Sequence, residues 1–293
     1  MSKPAVLLLP PLVHIRAEWE ALASKATLKV SIIQADLTAK YICHNGAGYN
    51  TIDAQACNER GIIISNTPTA VDDATADIGI LLMLGALRSL FVPLGKLMGE
   101  GGWERPIGHD PKGKALGILG MGGIGRAMAK RARAFGMKII YHNRNRLSPD
   151  LEGDAEYVNF DDLLSKADVL SLNLALNEKT KHIIGAAELE KMKDGVVIVN
   201  TARGALIDES ALVKALDSKK VASVGLDVFE QEPNPNPELL RHKHCVFLPH
   251  IGTNTWETQK QMELLVLKNI ESALDTGKVI TCITETPQED AKL

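Results

Sequence analysis

Residues 115–146 read ALGILGMGGIGRAMAKRARAFGMKIIYHNRNR. The stretch opens on a short apolar run, Ala115 to Leu119, patterned as a buried strand. Gly120-Met121-Gly122-Gly123-Ile124-Gly125 follows, a G-x-G-x-x-G. A helical pattern comes next, with Ile124, Met128, Ala132 and Phe135 on one face and Arg126, Lys130, Arg131 and Arg133 around the rest. Gly136 stops the helix, and Met137 to His142 reads as a second strand. Alone, the glycine motif is weak. Between a strand and a helix, with a second strand behind, it points to a dinucleotide-binding unit. Gly120 permits the tight turn, Gly122 lets backbone approach a pyrophosphate, and Gly125 lets helix and strand pack closely. The free N–H groups of the helix N-terminus then face the anion. A glycine-rich turn without a ligand is the competing reading, and the flanking elements weigh against it.

Outward from this unit, strands and helices alternate. Downstream, helices are expected at Asp161 to Lys166, Ala186 to Lys191, Ser210 to Ser218 and Trp256 to Asp275. Strands are expected at Val169 to Leu174, Val196 to Asn200, Ala222 to Asp227 and Val246 to Leu248. That rhythm predicts an α/β fold with a Rossmann-type, doubly wound parallel sheet. Upstream, strands are expected at Ala5 to Leu9, Leu28 to Ile33, Tyr41 to His44 and Ile62 to Ser65. Helices are expected at Glu18 to Lys25, Thr51 to Arg60 and Asp73 to Leu90. The last is apolar nearly all round, so it belongs in a domain or subunit interface. Residues 99–114 read as a Gly/Pro-rich connection. One upstream spacing is too short. Only residues 34–40 separate two runs, whereas a parallel crossover needs about 10–12 residues. Either the two runs pair as a hairpin or one of them is not a regular sheet strand.

Composition bounds the function. A chain of 293 residues with 45% hydrophobic residues can build one large or two medium cores. A net charge of −3 marks neither a nucleic-acid nor a membrane partner, and the arginines of the 126–133 helix read as a solvated face. The four cysteines lack metal-ligand spacing, so no metal site is expected. Cys43 and Cys245 sit in apolar runs and read as small hydrophobes, which fits a reducing, cytoplasmic setting. The N-terminal apolar run is too short to span a bilayer.

In open α/β sheets, ligands bind beyond the carboxyl ends of the strands. Three reactive residues follow expected strands: Arg203 after Val196–Asn200, Glu232 after Ala222–Asp227 and His250 after Val246–Leu248. An arginine clamps a carboxylate in a bidentate way, and a histidine moves a proton near neutral pH. A carboxylate beside that histidine orients it. With a nicotinamide, the set suits hydride transfer to a 2-oxo acid. Each residue alone has an ordinary reading, as a surface ion pair, a helix cap or a solvated loop carboxylate. Their joint placement at three strand ends favours the site.

The segments KYICHNGAGYN, NTPTAVDDATADI, LGILGMGGIGRA, NTARGALID, GLDVFEQEP and LPHIGTNT occur in this order. From Lys40 to Cys282 the chain thereby resembles the D-isomer-specific 2-hydroxyacid dehydrogenases, most of all their fungal glyoxylate/hydroxypyruvate reductase branch. The resemblance implies that Arg203 holds the substrate carboxylate and carbonyl oxygen. It makes His250 the general acid in reduction and the base in oxidation, with Glu232 hydrogen-bonding His250 and keeping it protonated. Backbone N–H groups of Ala47 and Gly48 would receive the carboxylate, and Thr75, Thr201, Ala202 and Asp227 stand at nicotinamide-side positions. Gly120, Gly122, Gly123, Ile124 and Gly125 carry the cofactor motif. A homodimer joined through cofactor domains is implied, with active sites in the interdomain cleft. The expected domains are residues 76–258 for the dinucleotide, and residues 1–75 with 259–293 for the substrate.

Cofactor choice is legible in the residues. NAD enzymes of this fold place an acid at the end of the second strand, on the ribose 2′-OH. Here Asn143 stands there, followed by Arg144. No anion repels a 2′-phosphate, and Arg144 can pair with it, so NADP is expected over NAD, with NAD still possible.

The region before NGAGYN is shorter than in the family by a few tens of residues, about one βαβ unit. The family's substrate domain is a flavodoxin-like parallel sheet, so here an incomplete one is expected. Asn50 replaces a usual Asp, and Ala175 a frequent Pro. Two functions follow from this balance: an NADPH-dependent reductase of small 2-oxo acids such as glyoxylate or hydroxypyruvate, or a weakly active or inactive dinucleotide-binding member serving as a sensor or partner protein.

Overall fold

The computed structural model describes residues 5–8, 13–30 and 39–286. It divides into two compact units, residues 1–71 with 253–293 and residues 72–252. The expected cuts after residues 75 and 258 are corrected to 71 and 252. Helix continuity is the reason. Asp72–Leu87 is one helix whose buried Ala74, Thr75 and Ala76 belong to the second unit, so Thr75 falls in the same unit as the other residues expected on the cofactor side. Trp256–Thr276 is likewise one helix, and a cut at 258 would sever its first turn.

In the first unit, β1 (Ala5–Leu8) and β2 (Thr27–Val30) pair in parallel. Helix α1 (Arg16–Ala21) and a 3-10 turn at Leu22–Ser24 lie between them. A second parallel pair, β3 (Tyr41–Cys43) with β4 (Ile63–Ser65), is joined through α2 (Ala54–Glu59). The Asp53 carboxylate accepts the Ala56 N–H at 2.9 Å and starts α2 later than the expected Thr51. Among the described residues, β2 and β3 lie in separate two-stranded sheets. Both expected runs are strands, but they form no hairpin. The connection is too short for a parallel crossover, so each strand finds its parallel partner across its own helix. Among the described residues the first unit thus shows two separate parallel pairs in place of one continuous flavodoxin-like sheet. Leu9 and residues 31–33, expected in strands, lie outside the described residues.

The second unit runs α3 (Asp72–Leu87), α4 (Phe91–Glu100), β5 (Ala115–Leu119), α5 (Gly123–Ala134) and β6 (Lys138–His142). Then come α6 (Pro149–Glu152), β7 (Glu156–Tyr157), α7 (Phe160–Lys166), β8 (Val169–Leu172), α8 (Ala186–Lys191) and β9 (Val196–Asn200). It ends with α9 (Glu209–Asp217), β10 (Val221–Leu226), α10 (Pro237–Leu240) and β11 (Val246–Phe247). The seven strands are all parallel, in the order β11-β10-β9-β8-β5-β6-β7. From β5 the chain winds first to β6 and β7, then back to β8 and outward to β11. The crevice between β5 and β8 is therefore the switch point where such sheets bind ligands.

Both faces of this sheet are covered, which is why its strands read as unbroken apolar runs. In β9, Val196 and Ile198 pack with Leu163, Leu189 and Leu212, while Val197 and Val199 pack with Leu82, Met83 and Met128. The buried stripe of α5 is Gly125, Met128, Ala129 and Ala132. Phe135, expected on that face, is 38% exposed, because it sits at the C-cap beyond the last buried turn. Cys245 is buried, and burial pushes its thiol up to about 11; Cys43 is only half-buried.

The chain returns to the first unit through α11 (Trp256–Thr276), capped by the Thr255 hydroxyl on the Thr258 N–H at 3.2 Å. Leu267 packs with Ile15, Trp19 and Leu22. Two buried polar side chains pin the neighbouring chain. Glu263 accepts the N–H groups of Val13 (3.2 Å) and His14 (2.8 Å). Asn269 accepts those of Ile280 (2.8 Å) and Thr281 (3.0 Å).

Candidate active site

The glycine turn follows β5. Gly120 holds φ 94°, and a Cβ there would lie 2.8 Å from the Asn173 carbonyl oxygen, so only glycine fits. At Gly125 a Cβ would lie 2.5 Å from the Gly120 oxygen. Gly122 caps α5 and is its opposite: no atom lies within 4 Å of its missing Cβ. The helix N-terminus thus opens onto free space at Gly122, while Gly123 lies hard against the Asp72 carboxylate. Burial raises the Asp72 carboxyl pKa, with Arg126 pulling the other way. An open N-terminal turn on glycine backbone is what a pyrophosphate requires, and these residues fit a dinucleotide.

The expected ribose end lies one strand away. The Met121 N–H donates to Asn143 Oδ1 at 2.7 Å, and the Tyr157 hydroxyl donates to the Asn143 carbonyl at 3.1 Å. The neutral amide is thereby fixed at the end of β6. Beside it, Arg144 is exposed, with no hydrogen bond or ion pair among the described residues. Arg146 is already committed: its Nε donates to both oxygens of the buried Glu152, at 3.0 and 3.1 Å.

Arg203, Glu232 and His250 follow β9, β10 and β11, which are adjacent in the sheet. After β9, Asn200 Oδ1 accepts the Ala202 N–H at 3.0 Å and its Nδ2 donates to the Arg203 carbonyl at 2.8 Å, folding the loop back on the strand end. Gly204 then presses backbone to backbone on Phe229 and Glu230, where any Cβ would collide. Arg203 is half-buried. Burial lowers its pKa and the Glu232 carboxylate opposes this, but a guanidinium stays protonated throughout.

The histidine is set by two carboxylates. His250 Nδ1 lies 2.7 Å from Glu232 Oε2, and Glu232 Oε1 accepts the Phe229 N–H at 3.0 Å. With Nδ1 engaged, Nε2 is the nitrogen left for a substrate. Asp227, 1% exposed, accepts the N–H groups of Ile251 (2.8 Å) and Gly252 (2.7 Å), and its carbonyl accepts the His250 N–H at 2.8 Å. Burial raises the Asp227 pKa against the pull of those N–H donors. His250 sits at φ 57° in the turn that Asp227 holds. The side chain of Asp227 is thus engaged in fixing the histidine, beyond its expected nicotinamide-side place. Thr75 and Thr201 are buried, Thr75 against Gly252 and the Thr201 methyl toward Gly79 of α3.

Ala47 and Gly48 lie in the first unit, after β3. The Ala47 carbonyl accepts Asn66 Nδ2 at 2.7 Å, and the Gly48 carbonyl lies 3.0 Å from His44 Nε2. Their own N–H groups donate to no acceptor among the described residues. Sequence reading missed Asn200, Gly204, Glu209 and the ion pair of His182 with Glu230. The NTARG segment signalled the first two. Nothing local signalled a pair 48 positions apart.

A parallel sheet with a glycine turn at its switch point, and with arginine and a histidine–carboxylate pair at neighbouring strand ends, defines a nicotinamide-dependent oxidoreductase. The family model for the NAD-binding domain of D-isomer specific 2-hydroxyacid dehydrogenases matches residues 80–252, and the chain belongs to that family. It is 55% identical to 4-methyl-2-oxopentanoate reductase A of Aspergillus oryzae, over 96% of this chain and 98% of that one. That alignment runs over 324 positions against 293 residues here, so the relative carries a stretch this chain lacks. Among solved structures, a glyoxylate reductase from Paecilomyes thermophila superposes with a TM-score of 0.95 at 53% identity, over 98% of this chain and 100% of that one. An NADPH-dependent glyoxylate/hydroxypyruvate reductase from Sinorhizobium meliloti, in complex with NADP and malonate, gives 0.87 at 27% identity over the whole of both chains. This chain is therefore an NAD(P)-dependent oxidoreductase of the D-2-hydroxyacid type.

Proposed function

We propose that the chain is an NADPH-dependent reductase of small 2-oxo acids, glyoxylate and hydroxypyruvate among them, forming the D-2-hydroxy acid. The observation that carries this reading is the His250–Glu232 pair at 2.7 Å, which joins the ends of β11 and β10, the latter beside β9 with the half-buried Arg203 at its end. A bound nicotinamide supplies the hydride. Arg203 orients the acid through its carboxylate and carbonyl oxygen. His250 gives its Nε2 proton to that oxygen as the alkoxide forms, and Glu232 holds the ring by Nδ1. The backbone N–H groups of Ala47 and Gly48, without an acceptor among the described residues, are the further donors that this reading assigns.

NADPH preference rests on Asn143 and Arg144. The amide adds no negative charge, and Arg144 has no competing partner among the described residues. The test is reduction of glyoxylate and hydroxypyruvate by the purified protein with NADPH and with NADH, followed by nicotinamide absorbance. Turnover with NADPH preferred is expected. Arg144→Ala is expected to lower kcat/KM for NADPH by about 10- to 100-fold, the value of one or two charge-assisted hydrogen bonds, and to spare NADH. Equal use of both cofactors by the wild type rejects the preference. The divided sheet of the first unit favours a second reading, a dinucleotide-binding partner protein. NADPH binding without turnover of any 2-oxo acid selects it.

The reading includes a homodimer joined through the second unit. Its support is the apolar surface of α4 and the segment after it, where Met98 is 83%, Trp103 80% and Ile107 99% exposed. Light scattering is expected to give a dimer for the wild type and a shift toward monomer for Met98→Asp. A monomeric wild type overturns this part.

A further inference from the structure

His182 lies in the segment between β8 and α8, and the mechanism above does not use it. Its N–H donates to the Ala205 carbonyl at 2.8 Å, inside the 3-10 turn that follows Arg203. The pairing continues along the chain. Ile184 N–H donates to the Leu206 carbonyl at 3.1 Å, and Asp208 N–H to the Ile184 carbonyl at 3.0 Å. The His182 ring reaches the other way, with Nε2 2.7 Å from Glu230 Oε1. The Glu230 N–H donates to Glu209 Oε1 at 2.7 Å, and the Glu209 carboxylate is buried at the start of α9.

These contacts close a ring. It runs from Ala205 through His182 and Glu230 to Glu209, and back along the chain to Ala205. Two loops are held by it: one carries Arg203, the other carries Glu232. Inside the ring, Gly204 packs on Phe229 and Glu230 without room for a side chain. The Phe229 N–H in turn holds Glu232, which holds His250. A displacement of Glu230 is thus passed to the histidine through Phe229 and Glu232, and a displacement of Ala205 is passed to the arginine through Gly204.

We propose that His182 is a positioning residue for the reduction: its bond to Glu230 sets the spacing between the Arg203 guanidinium and the His250 imidazole, without itself touching substrate. The inference rests on the reductase reading above. Stability is not what the pair contributes. Both side chains are about a third exposed, at 37% and 29%, where an ion pair adds little. Its value is geometric, because an acid that must be clamped by one loop and protonated from another is sensitive to loop spacing. Misplacement by about 1 Å costs about 100-fold in rate.

The experiment compares His182→Ala, His182→Gln, Glu230→Ala and Glu230→Gln with the wild type. Expected for His182→Ala and Glu230→Ala is a loss of about 10- to 100-fold in kcat/KM for glyoxylate, with thermal midpoint and NADPH affinity retained. His182→Gln keeps a donor and Glu230→Gln keeps an acceptor, so each recovers most of the loss. The double variant His182→Ala/Glu230→Ala loses no more than either single one, because one bond is removed in all three. A merely structural role would move the thermal midpoint and give additive losses. Oxalate binding to the NADPH-loaded protein, measured by calorimetry, reads the Arg203 clamp without turnover and is expected to weaken at least about tenfold in His182→Ala. Should His182→Ala not fold, Glu230→Ala and its double cycle with His182→Gln decide. Wild-type kcat/KM and oxalate affinity in the alanine variants overturn the inference while leaving the reductase intact. A wild type with neither turnover nor oxalate binding overturns the reductase reading, and the inference with it.

Discussion

His250→Ala is expected to lower kcat for 2-oxo acid reduction by about 10²- to 10⁴-fold, the range for loss of a positioned general acid, while NADPH binding is unchanged. The separation follows from the structure. The ring of His250 is exposed and, among the described residues, anchored through Nδ1 on Glu232, whereas the glycine turn of residues 120–125 leads from β5 into α5, far along the sheet order from β11. The variant is also expected to fold, since Asp227 holds the turn through the backbone N–H groups of residues 250–252 by bonds that no side chain supplies at the other end. The pH dependence carries the same sign. In the proposed mechanism the imidazole gives up a proton in reduction and takes one in oxidation, so reduction is expected to slow toward alkaline pH and oxidation of the hydroxy acid to speed up. A variant with wild-type kcat, or reduction that does not fall toward alkaline pH, rejects His250 as the acid.

Arg203→Ala is expected to cost about 10²- to 10⁴-fold in kcat/KM for the oxo acid, from two charge-assisted hydrogen bonds at about 1.5–3 kcal/mol each. Arg203→Lys is expected to recover little. A lysine has a point charge in place of the planar fork, and it cannot meet a carboxylate and a carbonyl oxygen together. The effect should divide between a raised substrate KM and a lowered kcat, since in the proposed mechanism the same side chain binds the acid and orients its carbonyl. NADPH affinity, read by fluorescence titration, should stay at the wild-type value. Near-normal activity of Arg203→Lys would show that charge alone suffices and that the bidentate assignment is wrong.

Much of the second unit was legible along the chain because its determinants are local. The run Val196–Asn200 has no polar residue before its end, and a strand buried on both faces needs none. Gly120 answers to a positive-φ turn and Gly125 to close packing on Gly120 five residues before it, so their spacing carries that part of the meaning, while the contact of Gly120 with Asn173 does not show along the chain. Arg203, Glu232 and His250 were legible as candidates for a related reason: in a parallel sheet every strand end points to one edge, and reading order becomes position.

Where the reading failed, the deciding contact was distant or the local signal was mixed. Helix α4 contains Pro93, Gly95 and Gly99, which argue against a helix along the chain. Phe135 fits the helical period, but the helix ends before its turn is covered. The domain cuts were misplaced because composition does not show that Asp72–Leu87 and Trp256–Thr276 are each unbroken.

By itself the sequence determined the class of sheet, the glycine turn, the neutral residue at the end of β6 and the residue types available for chemistry. These are set by periodicity and by the backbone needs of single positions. Only the tertiary structure decided which charges are committed and which are free. Arg146 is taken by the buried Glu152, and Arg144 has no partner among the described residues. Asp227 holds a turn, and His182 meets Glu230 across 48 positions. Side-chain pairing depends on distance in space, and a sequence orders residues only by distance along the chain.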